Sequence, residues 1–440
     1  MAAVLDDVLP PHAGQVPEQW RSFRECRSMT VDDWGAGATI AGSPIPSQPD
    51  LVRMRADRHA RLQQNLEAQG LDGLVLLGCS SVAYATGADG PGEDSGRAGL
   101  FRAVAVVVRG ADAPHLFTPY WDAAPSELPA DHLHGPLFPD VEDGIGELVE
   151  ALGQLFSPGS RLGVDEQTHP MLRALGGYQW SEARDVLGPA KLTKTPDEVA
   201  CIRTGQRITE LAMDATRDTL RPGLRQTDLS GTFLRRVFEL GATANAIDPI
   251  WQVMTPTRAE GPWTSHGDLA YPTSTTDAIL REGDVIWVDA GISHHGYASD
   301  YGRTWLTSAN PVPDKRQVSQ FERWRAVVDA ALAICKPGVT GLELGRAAIA
   351  ANDGIKPWIE HFYLAHGVGT DSAEMPLIGT DLGEAFDEAL VMVPGMVLVF
   401  EPVIWDEGAA GYRSEDIVAI TDDGWVPLSG TRYDPFGVTR

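Results

Sequence analysis

The stretch from Trp287 to Arg303, W-V-D-A-G-I-S-H-H-G-Y-A-S-D-Y-G-R, limits what this chain can fold into more than any other. It is entered through the apolar run Asp284-Val285-Ile286-Trp287-Val288, which ends at Asp289, and Asp300 follows eleven residues later. A buried strand of this composition delivers an acid into the interior. Between the two aspartates, Gly291, Gly296 and the pair His294-His295 supply turn chemistry, so the chain can double back as a hairpin and bring both carboxylates to one place. Burying two like charges together is costly unless a cation neutralises them. A metal ion is the simplest such cation; the plainer alternative has Asp289 capping a turn and Asp300 at the surface.

With 440 residues, 43% of them hydrophobic and 22% charged, the chain has material for two or three domains and a large core. Its net charge of −26 argues against a nucleic-acid partner, because phosphate binding needs clustered Lys and Arg. Cys26, Cys79, Cys201 and Cys335 are scattered without paired spacing, which disfavours a disulfide framework or a zinc ribbon and fits a reducing cytoplasm. Met1 to Gln15 carries Asp6, Asp7 and two prolines where a signal peptide would have a basic start and an apolar run, so none is expected. No apolar run is long enough to span a bilayer, and no membrane partner is expected.

Residues 1–48 are rich in Pro, Gly, Ser and Asp and read as an extended arm lying on another domain or another subunit. Residues 49–190 read as an α/β domain. An amphipathic helix from Leu51 is stopped by Gly70, and the strands Gly73 to Leu77, Ala103 to Val108 and Arg161 to Asp165 alternate with helical stretches such as Ile145 to Phe156. The His132-Leu133-His134 pair could chelate a cation, although exposed loop histidines are the simpler reading. Residues 191–440 form the second domain. It opens on a helix signalled by Thr195 at the N-cap, Pro196 at N1 and Glu198 at N3. Within it, Arg221-Pro222-Gly223-Leu224 and Lys336-Pro337-Gly338-Val339 repeat at an offset of 115 residues, each between two helices, which predicts a domain made of two related halves.

Further acids and one histidine stand in comparable settings. Glu401 closes the apolar run Met396 to Phe400, Glu415 heads the strand that continues to Ile420, and His366 lies between Ala365 and the glycines 367 and 369. Taken singly, each has an ordinary reading, a packed histidine or an exposed hairpin acid. Taken together, Asp289, Asp300, His366, Glu401 and Glu415 make an oxygen-rich set with one nitrogen, suited to a pair of Mn, Fe, Co or Zn ions.

These residues resemble a known family. D-A-G-x7-S-D-x-x-R-T at Asp289 to Thr304, H-G-V-G at His366, F-E-P at Phe400 to Pro402 and R-S-E-D at Arg413 to Asp416 look like the pita-bread metallopeptidase superfamily of aminopeptidase P, prolidase, methionine aminopeptidase and creatinase. R-x-x-R-L at Arg58 to Leu62 and V-A-Y-A-T-G at Val82 to Gly87 are similar to the creatinase-type N-terminal domain. The resemblance implies an α+β chain with a pseudo-twofold C-terminal pita-bread domain behind a creatinase-like α/β domain, two divalent metal ions and a homodimer. It further implies that Asp289 chelates one ion, His366 and Glu401 the other, and that Asp300 and Glu415 bridge them. Two peptidase histidines are replaced, by Ala373 seven residues beyond His366 and by Pro272 about seventeen before Asp289. His266 or His361 could substitute in space. The chain is also similar to dimethylsulfoniopropionate lyases on this fold, through P-D-L-x-R-M-R at Pro49 to Arg55, A-x-H-G-V-G at Ala365 to Gly369 and P-L-I at Pro376 to Ile378. Those lyases carry an extra aspartate where this chain has Gly291 and a basic aspartate near Ala373, whose role Asp371 or Glu374 would have to take.

The expected activity is a dinuclear-metal hydrolase cleaving a C–N bond in a small amide or dipeptide-like substrate, with Glu401, Glu374, Asp371 and His361 as candidate catalytic groups. A metal-dependent C–S lyase and a non-catalytic pita-bread binding protein are the alternatives. Arg303 and Arg413 are expected to hold carboxylates in place. Trp251, Trp263 and Trp305 either line the pocket or, more simply, fill the core.

Overall fold

The computed structural model describes residues 37–88, 101–254, 275–359, 362–406, 408, 410–430 and 436. His361, His266, Pro272, Trp263 and the first 36 residues of the predicted arm lie outside them. The described part of the arm lies on the second domain. Ile40 packs in a core with Val397 and Val399, Thr39 donates to the Asp422 carboxylate at 2.6 Å, and Arg203 donates to the carbonyl of Ser47 at 3.0 Å.

The first helix, α1 (Leu51–Gln69), starts where the Asp50 carboxylate accepts the backbone N–H groups of Val52 and Arg53. It stops at Gly70, which takes the left-handed conformation at φ 62°. Met54, Arg58, Leu62 and Leu66, four residues apart, form its buried face. Then follow β1 (Gly73–Leu76), α2 (Cys79–Thr86), β2 (Val104–Val108), β3 (His115–Phe117), β4 (Leu133–His134), α3 (Ile145–Leu155), β5 (Arg161–Val164), β6 (Gln179–Glu182) and α4 (Arg184–Leu192). The strands form a mixed six-stranded sheet in the order β4-β3-β2-β1-β5-β6. Alternation along β1 sends Leu74 and Leu76 into the core shared with α1 and α4, and Val75 into the core shared with α3. Helices therefore cover both faces, which is why the strands read as unbroken apolar runs.

The second domain opens on α5 (Pro196–Arg217), whose capping box between Thr195 and Glu198 is formed as predicted. It continues through α6 (Gln226–Glu239), β7 (Ala244–Val253), β8 (Val285–His294), β9 (Tyr297–Ala298) and β10 (Tyr301–Leu306). A second set follows: α7 (Lys315–Ile334), α8 (Gly341–Ala350), β11 (Ala365–Gly367), β12 (Glu374–Ile378), β13 (Val397–Phe400), β14 (Asp416–Ile420) and β15 (Trp425–Pro427). In the first half β8 pairs with β7, β9 and β10; in the second the order is β12-β11-β13-β14-β15. The helix-Pro-Gly-helix repeat marks corresponding turns. Gly223 and Gly338 adopt φ 92° and 89°, and their N–H groups donate to Leu280 and Met392, each at 2.8 Å. The two halves share one core, in which Trp287 and Leu306 pack with Leu398 and Phe400.

Two expectations change. The strand that carries Asp289 does not end there but runs on to His294, with a bulge between Asp289 and Gly291. His132, at the end of a 3-10 turn, and His134, on the edge strand, are half-buried and not exposed. Trp251 and Trp305 are fully buried, with ring centres 6.0 Å apart, and fill the core. The domains meet across a buried polar contact in which Arg58 donates to the Tyr297 hydroxyl at 3.1 Å and that hydroxyl donates to Glu198 at 2.5 Å.

Candidate metal centre

Asp289 is placed in mid-strand on β8, opposite Gly302 of β10, and Asp300 stands just before β10. From the other half, His366 lies on β11, Glu401 follows β13 and Glu415 precedes β14. Strand pairing sets His366 against Val399, and Phe400 against Asp416, so the three residues converge from one sheet. Asp300, His366, Glu401 and Glu415 are each no more than 4% exposed.

The halves meet at these side chains. His366 Nε2 is 2.9 Å from Glu401 and 3.3 Å from Asp300, while its Nδ1–H donates to the carbonyl of Gly367 at 2.8 Å. That bond turns Nε2 toward the acids, the arrangement a metal-ligating imidazole needs. Ligand oxygens of Asp289, Asp300 and Glu415 lie within 4.8 Å of one another. Among the described residues, Asp289 Oδ1, Asp300 Oδ1 and Glu415 Oε2 are buried with no hydrogen-bond partner. Buried anionic oxygens are expensive to leave in that state.

Arg413 lies at the middle of the cluster. Its guanidinium is 3.0 Å from Asp289, contacts Glu401 and Glu415, and sits 4.6 Å from the centre of the Trp287 ring. Burial raises the Asp289 carboxyl to about 6 against the opposing pull of Arg413, and burial likewise raises Glu415 well above the ordinary range. Glu401 behaves differently: burial would raise it, but Arg413 and His366 hold it at about 2. Burial would lower His366, yet its bonds to Asp300 and Glu401 raise it to about 10. Four acidic side chains thus face one arginine and one histidine. The donor set is short of positive charge and fits divalent cations.

Arg303 donates at 2.7 Å to the carbonyl oxygens of Gly302 and Glu415, fixing the backbone that carries the Glu415 carboxyl. Glu374 and Asp371 are engaged by the stretch that joins the two domains. Lys194 lies 2.5 Å from Glu374, while Lys191 lies 3.5 Å from Glu374 and also contacts Asp371. Ala373, where a peptidase histidine was expected, is exposed. Sequence reasoning missed Tyr363, whose ring meets His366 edge-on at 5.2 Å and whose phenol is raised by burial and then by the charge of Glu401. Its position three residues before His366 was the available signal.

An α/β domain followed by a two-halved domain that gathers acids and one imidazole at its centre is the architecture of the pita-bread metallopeptidases. The chain belongs to metallopeptidase family M24, whose model matches residues 200–422, and the creatinase/prolidase N-terminal domain matches residues 58–186. The probable dipeptidase PepE of Mycobacterium tuberculosis is 28% identical over 378 residues, covering 83% of this chain and 92% of that protein. The Xaa-Pro dipeptidase of Lactobacillus helveticus is 29% identical over 249 residues, 56% of this chain and 61% of its own. In fold, the prolidase of Pyrococcus horikoshii superposes with a TM-score of 0.67 at 20% identity, covering 86% of this chain and 99% of that one.

Proposed function

We propose that this centre holds two divalent ions of the Mn, Fe, Co or Zn group and hydrolyses a C–N bond in a small amide or dipeptide-like substrate. The observation that carries the reading is the set of unpartnered buried oxygens of Asp289, Asp300 and Glu415 beside the Nε2 face of His366. Asp289 would hold one ion, His366 and Glu401 the other, and Asp300 and Glu415 both. When bound, such ions would lower the pKa of water and polarise a carbonyl oxygen. Glu401, which faces His366 and Tyr363, would take a proton and return it to the leaving nitrogen, for which it must give up part of its contact with Arg413. Arg413 holds Asp289 and Glu401 in register. Glu374 and Asp371 would each have to leave a lysine before accepting a proton, so their part is to shape the segment after His366.

The dipeptidase names of the relatives make Xaa-Pro and other dipeptides the first substrates to test. A Cβ at position 291 would stand 2.2 Å from the carbonyl oxygen of Ser299, so this backbone has no room for the extra aspartate of the lyases. A homodimer and a cytoplasmic setting belong to the same proposal. Among the described residues, Cys79, Cys201 and Cys335 are free, and no described helix is long and apolar enough to cross a membrane.

The test is to chelate the protein, restore Mn, Fe, Co or Zn singly, and assay dipeptides, Xaa-Pro dipeptides and simple amides. Metal-restored hydrolysis is expected. Binding of two ions without turnover of any of them overturns the hydrolase. Release of dimethyl sulfide from dimethylsulfoniopropionate would move the assignment to the lyase, and absence of bound metal to a binding protein.

A further inference from the structure

We infer that the first domain carries its own cation site at the edge of its sheet, where His115 and His134 take one ion of the Zn, Ni or Cu class with His132 stacked beside them. Three of the chain's 11 histidines meet here, outside the carboxylate centre. Strands β3 and β4 run parallel, with Leu116 opposite Leu133 and Phe117 opposite His134. His115 and Phe117 share one face of β3, His134 lies opposite Phe117, and His132 ends the 3-10 turn that leads into β4. The rings form two stacked pairs joined edge to edge through His115 and His134. His115 and His132 stack with centres 4.0 Å apart and Phe117 and His134 at 4.4 Å, while the centres of His115 and His134 stand 5.2 Å apart.

The nitrogens give the cluster its chemistry. His115 Nδ1 and His134 Nε2 are 2.9 Å apart, so a single hydrogen fills the gap between two ring nitrogens. Two imidazole nitrogens on one tetrahedral zinc stand about 3.3 Å apart, so a few tenths of an ångström of separation, with a swing of the rings by roughly 35° off the line between the nitrogens, exchange that hydrogen for a cation. His132 Nδ1–H donates to the Pro114 carbonyl at 3.2 Å, leaving its Nε2 with a lone pair, the tautomer that ligating histidines adopt. Burial, then the neighbouring imidazoles, bring His115 down to about 4, and burial lowers His134 too, against the opposing charge of Asp131. Both rings are neutral near pH 7, the form that binds metal. Imidazole donors select Zn, Ni and Cu over Mg or Ca, and the half-buried setting leaves a path for the ion.

Zinc alone is the probe. The intact protein is dialysed against zinc, freed of loosely held metal on a desalting column, and its metal content per chain measured beside that of His134→Gln, with circular dichroism checking both folds. The variant is expected to carry one ion fewer per chain, while Asp289→Asn keeps the histidine-bound ion. Equal zinc content in the wild type and a folded His134→Gln overturns the site. A second measurement needs no variant at all: in histidine-labelled wild-type protein, the His115 and His134 ring signals should shift on adding zinc, and unmoved signals at saturation also overturn it.

Discussion

Gly302 has no atom to spare. A Cβ at this position would lie 2.2 Å from Glu415 Oε1 and 2.6 Å from Arg413 Nη1, two groups that are themselves fully enclosed. The glycine lets β10 pass close beneath the acid while pairing with Asp289. Gly302→Ala is expected to displace Glu415 by about an ångström and to lower kcat/KM by about 100-fold, with reduced metal content and an unchanged far-ultraviolet spectrum. Activity within a few-fold of wild type would mean that Glu415 does not need its present place. The role of Gly302 was not legible in the sequence. D-Y-G-R reads as a strand with an indifferent glycine until the opposing half of the domain is laid across it.

The segment from Gly369 to Glu374 shows the same limit for an element. Its start was readable, because His366 stands in a glycine-flanked run, as were the ends of α1 and α5, since caps and periodicity are local. What holds the segment comes from far along the chain: Lys191 and Lys194, at the end of α4 and just beyond it, reach Asp371 and Glu374 across 180 residues, and Ser80 meets Thr370 at 3.1 Å across 290. No local pattern marks such a clamp, so the acids read as free catalytic candidates. Lys194 is 2% exposed at its side chain and Glu374 9%. Lys194→Met leaves the glutamate with Lys191 at 3.5 Å and should cost about 3 kcal/mol in urea unfolding. It should lower kcat while metal content stays constant. A change in metal content instead would place the clamp's effect on the ligands themselves.

Across the whole second domain, the repeat that was visible as two short matches extends to the centre. Asp300 and Glu415 stand 115 residues apart, the offset of the two Pro-Gly turns, and Asp289 and Glu401 stand 112 apart, the offset of Leu280 and Met392. Each half therefore lends two acids from corresponding places. His366 breaks the correspondence, because the matching stretch of the first half, Trp251 to Met254, contains no imidazole. One partner in a bound pair would then rest on oxygen alone and the other on oxygen and nitrogen, with different preferences among first-row metals. The expected consequence is unequal exchange: under a competing chelator the pair leaves in two phases, with a plateau near one ion per chain, and His366→Ala merges the phases. A centre assembled from near-equal halves would in this way keep one ion in residence while its neighbour comes and goes with supply.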